Sequence, residues 1–204
     1  MMNFYCLKVG TRYDTKFVTK LDSMIKRNYR AAYNLTCITD DKSSIPTWID
    51  TIDMPYLGVE KWWNKMILFN EGFVKEGVFF DLDIVISNDI NNIHKPDQFM
   101  RFLKTDWVNL EQLRQDTIGN HQRYCSINSS VLSWDENTKR HHIWEYFIKN
   151  VDKITSIFTG IDSFIEHRFP NDYSLYNEKL DQIHIFLDKK QDEVDSEWIR
   201  KIWI

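Results

Sequence analysis

Apolar and polar positions along the first ninety residues follow the two periods expected of strands and helices. Residues 4–9 form a short apolar run that ends at Gly10, which is typical of a buried strand. After Asp14, apolar residues recur every three or four positions, which predicts an amphipathic helix with Asp14 as its cap. The predicted buried face consists of Phe17, Val18, Leu21, Met24 and Ile25.

This alternation continues as far as Asp89. Strands are predicted at residues 34–41 and 48–52 and in the apolar run that begins at Gly77. A helix is predicted before that last run, with apolar positions at Trp63, Met66, Ile67 and Phe69. The resulting β-α-β-β-α-β order indicates an α/β fold, in which crossover helices connect parallel strands.

The pattern is looser after residue 92. Residues 101–107 and 126–134 are predicted strands, and residues 140–149 are a predicted helix. Residues 196–204 form a short predicted helix, which we expect to pack back on the domain. Arg200 and Lys201 at its edge leave a weak peripheral membrane contact as the alternative.

Composition limits the class of protein. The 204 residues are 43% hydrophobic and 15% aromatic, which is enough for one well-buried domain. A net charge of −4 without a basic stripe argues against a nucleic-acid partner. No apolar run is long enough for a transmembrane segment and no secretory leader is recognisable, so we expect a cytoplasmic protein with reduced cysteines.

The apolar run GVFFDLDIVISND contains two carboxylates, Asp81 and Asp83. In a strand, residues two apart point to the same side, so both could bind one hard cation while Leu82 faces the core. Ligands of α/β sheets collect at the carboxyl ends of strands, where this pair is expected. The spacing alone is weak, since about one such motif is expected by chance. The alternative is that each carboxylate caps a turn or pairs with Lys or Arg.

Two chemistries use acidic strand ends of this kind. In one, a cation bridges the diphosphate of a departing nucleotide. In the other, an aspartate is the phosphoryl-accepting nucleophile of haloacid-dehalogenase-like phosphatases, which FDLDIV superficially resembles. That motif normally ends the first strand of its domain, whereas a whole β-α-β unit precedes it in this chain.

Five segments together resemble nucleotide-sugar transferases of the glycosyltransferase A fold, in particular the glycogenin- and lipopolysaccharide-galactosyltransferase-like group. They are FYCLKVGTRYDTKFVTKLDSMIKRN, LTCITDD, EKWWNKMILF, GVFFDLDIVISNDI and INSSVLSW. The resemblance implies a Rossmann-like domain with a mixed, mostly parallel central sheet flanked by helices. Residues 1–92 would be its nucleotide-binding half and residues 93–204 its sugar and acceptor half.

The resemblance also implies how the donor is bound. Gly10, Thr11 and Tyr13 would cup the base and ribose, and Lys65 would lie near the donor phosphates. Asp81 and Asp83 match the metal-binding motif of the family, with Mn²⁺ or Mg²⁺ as the expected ion and a UDP-sugar as the expected donor.

Further residues match family positions around the transferred sugar. Asn128 and Ser129 would contact the sugar or acceptor, and Asp106 and Asp162 match carboxylates around the donor sugar. Ser163 stands where the family often has glutamine, so any role of that amide is lost.

The chain departs from the family near its C-terminus. Leu187-Asp188 stands where relatives carry a His-Gly that supplies a third metal ligand. His184 or Asp188 is a candidate substitute, and Lys189 or Lys190 a candidate phosphate contact.

These expectations define three functional hypotheses. The first is a metal-dependent, retaining transfer of a sugar from a nucleoside-diphosphate sugar to a hydroxyl acceptor. The second is a catalytically weak nucleotide-sugar-binding module of the same fold, and the third is the aspartate-nucleophile phosphatase. Neither the acceptor nor the oligomeric state follows from the sequence.

Overall fold

The computed structural model describes residues 1–95, 97–105, 125–176 and 180–185. The strands within those residues are β1 (Met2–Lys8), β2 (Tyr33–Thr39), β3 (Asp50–Asp53), β4 (Gly77–Phe80), β5 (Ile84–Ile86), β6 (Met100–Lys104), β7 (Ile127–Trp134), β8 (Tyr173–Leu175) and β9 (Ile183–Ile185). The α-helices in the same residues are α1 (Thr15–Asn28), α2 (His141–Lys149), α3 (Val151–Ile157) and α4 (Ile161–Arg168). Two 3₁₀ helices span Lys42–Ser44 and Lys61–Phe69.

Seven of these strands form one sheet in the order β3-β2-β1-β4-β7-β6-β8, and β5 pairs with β9 in a second sheet. The pairs β1 with β2, β1 with β4, β2 with β3 and β6 with β8 are parallel, whereas β6 and β7 are antiparallel. Helices flank the sheet. The predicted α/β class, with a mixed and mostly parallel sheet, is therefore confirmed.

The described chain divides into two compact units. The first unit comprises residues 1–55, 77–95 and 180–185, and the second comprises residues 56–76, 97–105 and 125–176. Each unit has its own aromatic core. In the first, Phe4 stacks on Phe80 with 5.6 Å between ring centroids. In the second, Trp63 stacks on Phe147 at 5.8 Å.

Helix α1 follows the predicted pattern closely. Asp14 is its N-cap, and the Asp14 side chain accepts a hydrogen bond from the backbone N of Lys16. This bond satisfies one of the amide groups that the first helical turn leaves without a helical partner. All five residues of the predicted apolar face are buried, so burial of one stripe stabilises the helix.

The prediction that the strand beginning at Gly77 finishes in Asp81 and Asp83 is wrong in its end point. Strand β4 ends at Phe80, residues 81–83 leave the sheet in a turn, and β5 then pairs antiparallel with β9. Leu82 remains 3% exposed within the turn, so the apolar pattern continues without a break. A buried turn residue between two short buried strands gives the same sequence pattern as one longer strand.

Other predicted elements are confirmed with small shifts. The strand predicted at residues 126–134 is β7, and the helix predicted at 140–149 is α2. The predicted helix containing Trp63 is the 3₁₀ helix, in which residues 63–69 are all buried. In the described part of the chain, no helix has the length and apolar character needed to cross a membrane. The helix predicted at residues 196–204 lies outside the described residues.

Candidate functional site

The loop after β1 is anchored to the end of the neighbouring strand β2. Gly10 has a φ of 71°, a left-handed conformation that glycine adopts without strain. Its backbone N donates a hydrogen bond to Oδ2 of Asp40 at 2.9 Å. Because β1 and β2 are parallel with Lys8 opposite Thr39, both chain segments leave the sheet at the same edge. Thr11 follows in this loop and is exposed.

Tyr13 connects this loop to the acidic turn. Its hydroxyl donates a hydrogen bond to Oδ2 of Asp83 at 2.6 Å. Burial raises the pKa of Tyr13, and the hydrogen bond and charge of Asp83 raise it further; Arg12 lowers it, and Asp81 adds a smaller increase. Both carboxylates therefore raise the pKa of the same phenol. Tyr13, Asp81 and Asp83, which the sequence selected separately, are brought together in the first unit.

Asp81 and Asp83 are the described candidates for binding a divalent cation. Within the described ranges, no group of three or more His, Cys, Asp and Glu side chains is arranged to bind a metal ion. His184 lies on β9, and its Nε2 is 2.8 Å from Oγ of Ser87. Asp188 lies outside the described residues, as do Lys189 and Lys190. One or two carboxylates together with substrate phosphates are nevertheless a common ligand set for Mg²⁺.

In the second unit, Lys65 and Ser129 are in contact. Lys65 is on the 3₁₀ helix Lys61–Phe69 and is only 9% exposed, and Ser129 on β7 is 2% exposed. The ammonium of Lys65 donates to Oγ of Ser129 at 3.3 Å and to its backbone O at 3.4 Å. Both residues are candidates from the sequence, and the structure places a positive charge beside the predicted sugar-contacting strand.

Asn128 lies at an irregularity of strand β7. The register with β6 shifts there, since Leu103 pairs with Asn128 but Phe102 pairs with Leu132. Oδ1 of Asn128 accepts a hydrogen bond from the backbone N of Ser130 at 2.9 Å, which satisfies an amide of the shifted segment. Among the described residues, the Asn128 amide nitrogen makes no hydrogen bond.

Asp162 lies in the first turn of α4, near a second carboxylate that the sequence did not single out. Glu166, one turn later, accepts hydrogen bonds from the backbone N of Ser126 at 2.9 and 3.1 Å and from its hydroxyl. Burial raises the pKa of the Cys125 thiol, and the charges of Asp162 and Glu166 raise it further. Ser163 is buried and donates to the backbone O of Gly160, so it has a local structural role.

Asp106 lies outside the described residues.

Two polar residues that make contacts in the two units were missed by sequence reasoning. Asp40 had a usable signal, because it directly follows a predicted strand whose end should lie at the ligand-binding edge. Glu166 had none, since a carboxylate on a helix of mixed polarity is ordinary.

No protein-family model matches this chain, and no curated protein sequence matches it. Several solved structures are similar to it. The structure is similar to that of galactosyltransferase LgtC in complex with donor and acceptor sugar analogs, with a TM-score of 0.68. The match covers 99% of this chain and 95% of the LgtC chain at 10% sequence identity. The chain has the fold of a glycosyltransferase.

A second similar glycosyltransferase is GlyE of Streptococcus pneumoniae TIGR4 in its apo form, with a TM-score of 0.66 at 14% identity. That match covers 99% of this chain but only 59% of the GlyE chain. The glycosyltransferase A fold implied by the five sequence segments is thereby confirmed. At these identities the likeness establishes the fold alone.

Proposed function

We propose that this protein is a glycosyltransferase that moves a sugar from a nucleoside-diphosphate sugar to a hydroxyl acceptor. The observation that carries the proposal is the constellation of Tyr13, Asp81 and Asp83 at the end of β4, in a fold similar to that of LgtC. The solved LgtC complex contains donor and acceptor sugar analogs. The carboxyl end of a parallel strand is also where α/β proteins bind nucleotides.

For the donor, we propose UDP as the nucleotide and the loop after β1 as its binding element. The exposed backbone of Gly10 and Thr11 is open to a ligand, since a Cβ placed on Gly10 would meet no atom within 4 Å. The Tyr13 ring lies at the end of this loop and offers a face for the base. The bond between Gly10 and Asp40 ties this loop to the end of β2.

For the ion, Asp81 and Asp83 would hold Mn²⁺ or Mg²⁺ against the donor diphosphate. Such an ion, when bound, acts as a Lewis acid that stabilises negative charge on the departing nucleotide. The described residues supply two hard carboxylates two positions apart after β4, which suits this class of ion. The remaining positions would be left to phosphate oxygens and water.

For the reacting groups, the candidates are those that the family resemblance implies. Lys65 would add a fixed positive charge toward the leaving diphosphate, with Ser129 holding its ammonium in place. The amide nitrogen of Asn128 would donate to the sugar. Asp162 and Asp106 would position or stabilise the sugar in a retaining transfer.

Two kinds of measurement test the proposal. Isothermal titration calorimetry measures binding of UDP and Mn²⁺, and assays of donor hydrolysis and sugar transfer over a panel of nucleotide sugars measure turnover. We expect metal-dependent UDP binding and measurable turnover with one donor. Asp83→Ala should abolish the metal dependence with the fold intact. Asp53→Ala is the matched control, because Asp53 is an exposed carboxylate paired with Lys42 in the same unit.

The other hypotheses give different results in the same assays. Tight metal-dependent binding without turnover on any donor would identify a binding module. Phosphate release from simple phosphomonoesters, with loss on Asp81→Asn and no nucleotide binding, would identify a phosphatase. Unchanged UDP and Mn²⁺ binding in Asp83→Ala would contradict the proposed metal site.

A further inference from the structure

The side chain of Asp83 is oriented by a single described neighbour. The Tyr13 hydroxyl lies 2.6 Å from Oδ2 of Asp83, across 70 positions of sequence. Within the described part of the chain, this is the only hydrogen bond that Asp83 makes. A hydrogen bond to a charged acceptor is both shorter and stronger than a neutral one, so the phenol sets the direction of this carboxylate.

The Tyr13 ring is itself held by its surroundings. It makes an edge contact with Phe17, with 4.9 Å between ring centroids, and the Arg12 guanidinium lies 5.3 Å from its centroid. Phe17 is 2% exposed on the buried face of α1. The hydroxyl is therefore presented from a rigid helix start, and removal of the oxygen alone leaves the ring contacts in place.

We propose that Tyr13 is a positioning residue that orients Asp83 as a ligand for the divalent cation. The hydroxyl engages Oδ2 and leaves Oδ1 to face the ion. Ligating carboxylates commonly need such an outer partner, and loss of the partner typically weakens metal binding by about 10- to 100-fold. This inference rests on the proposed function, which supplies the metal.

The position of Tyr13 also couples the two ligands. Its ring belongs to the loop proposed to receive the base, and its hydroxyl holds a metal ligand. A nucleotide that fixes the ring therefore fixes Asp83 as well. By linkage, UDP and Mn²⁺ must strengthen each other's binding by the same factor, and part of that factor depends on the Tyr13 hydroxyl.

Mn²⁺ titrations test the proposal. They compare wild type, Tyr13→Phe and Tyr33→Phe, each with and without UDP. Binding is measured by calorimetry and by the electron paramagnetic resonance signal of free Mn²⁺. Tyr33→Phe is the matched control, since the Tyr33 hydroxyl donates to Oδ1 of Asp22 at 2.9 Å in the same unit. We expect Tyr13→Phe to bind Mn²⁺ about tenfold or more weakly. Tyr33→Phe should match wild type in both titrations.

The outcomes separate this proposal from the one it rests on. Wild-type Mn²⁺ affinity in Tyr13→Phe, with wild-type protein binding normally, would overturn the positioning role and leave the proposed function standing. Equal weakening in Tyr13→Phe and Tyr33→Phe would also overturn it, because a general loss of stability would then explain both. Absence of Mn²⁺ binding by wild type, with or without UDP, would remove the metal from the proposed function and this role with it.

Discussion

The ammonium of Lys65 is fixed between two oxygens of Ser129, 3.3 Å from its hydroxyl and 3.4 Å from its backbone carbonyl. These residues are 64 positions apart and belong to different elements, the 3₁₀ helix Lys61–Phe69 and strand β7. A buried lysine loses the hydration of its charge, so the protein must supply oxygens in compensation. The result is a positive charge at a defined place, which suits a role in stabilising negative charge more than a role in stability.

Lys65→Met should lower activity far more than stability. Methionine keeps most of the buried volume and removes the charge together with its desolvation penalty, so unfolding free energy should change by no more than about 1 kcal/mol. Loss of one charge-assisted interaction of about 1.4 kcal/mol or more corresponds to at least about a tenfold loss in kcat/KM. Urea denaturation and donor hydrolysis measure the two quantities.

The control for this prediction is Lys149→Met. Lys149 is an exposed helix lysine that pairs with Glu145 at 4.0 Å. Such exposed pairs contribute little, so neither stability nor activity should change. Equal activity of Lys65→Met and wild type would exclude a role for this charge in the reaction.

Gly10→Ala and Gly58→Ala form a matched pair. Both glycines have a φ of 71°, and a Cβ at either position would meet no atom within 4 Å. Each substitution should therefore destabilise the protein by about 1 kcal/mol through backbone strain alone. Only Gly10→Ala should also weaken UDP binding in calorimetry, because only Gly10 lies in the loop proposed to receive the nucleotide. Equal UDP affinities in the two variants would argue against that loop.

Much of the fold was predictable because local periodicity reports burial. Helix α1 could be derived from its apolar spacing and its capping Asp14, since both are local properties of the chain. The break between β4 and β5 could not be predicted from the sequence. Leu82 is buried in the turn, so nothing in the hydrophobic pattern marks the point where the chain leaves one sheet and joins another.

The candidate site shows the same division between local and long-range information. The chemistry of Asp81 and Asp83 could be proposed from their residue type and position after an apolar strand. Their partner could not, because the hydrogen bond from Tyr13 depends on how β1 and β4 pair. Glu166 was missed for a related reason: its bond to Ser126 joins residues 40 positions apart and leaves no mark on either segment.

Gly77→Ala should strongly destabilise the first unit. A Cβ at this position would lie 2.3 Å from the backbone O of Asn3 and 2.8 Å from the Tyr5 ring. The backbone clash lies beside the pairing of β1 with β4, so relief requires the two strands to move apart. We expect a loss of about 3 kcal/mol in unfolding free energy, at the upper end for overpacking.

Gly72→Ala is the comparison for this substitution. Its Cβ would meet only the Asn70 side chain, at the ordinary contact distance of 3.6 Å. Stability in urea denaturation should stay within about 0.5 kcal/mol of wild type. Similar stabilities of Gly77→Ala and Gly72→Ala would mean that β1 and β4 do not approach as closely as described.

His184 should make stability fall in mild acid. Burial lowers the pKa of His184 from its ordinary value of 6.5, and the charge of Asp181 acts in the opposite direction. As pH falls through 6.5, the unfolded chain therefore takes up a proton before the folded chain does. Proton uptake by the unfolded state favours unfolding, so this contribution is neutral above pH 6.5 and becomes destabilising below it.

Two substitutions isolate this contribution from the titration of the carboxylates. His184→Gln removes the titrating group and should reduce the difference in unfolding free energy between pH 7.5 and pH 5.5. Asp181→Asn removes the charge that opposes the shift, so it should lower the pKa of His184 further and enlarge the difference. Urea denaturation of both variants and wild type at the two pH values measures the effect. An unchanged pH dependence in His184→Gln would show that His184 keeps its ordinary pKa beside Ser87 on the β5-β9 sheet.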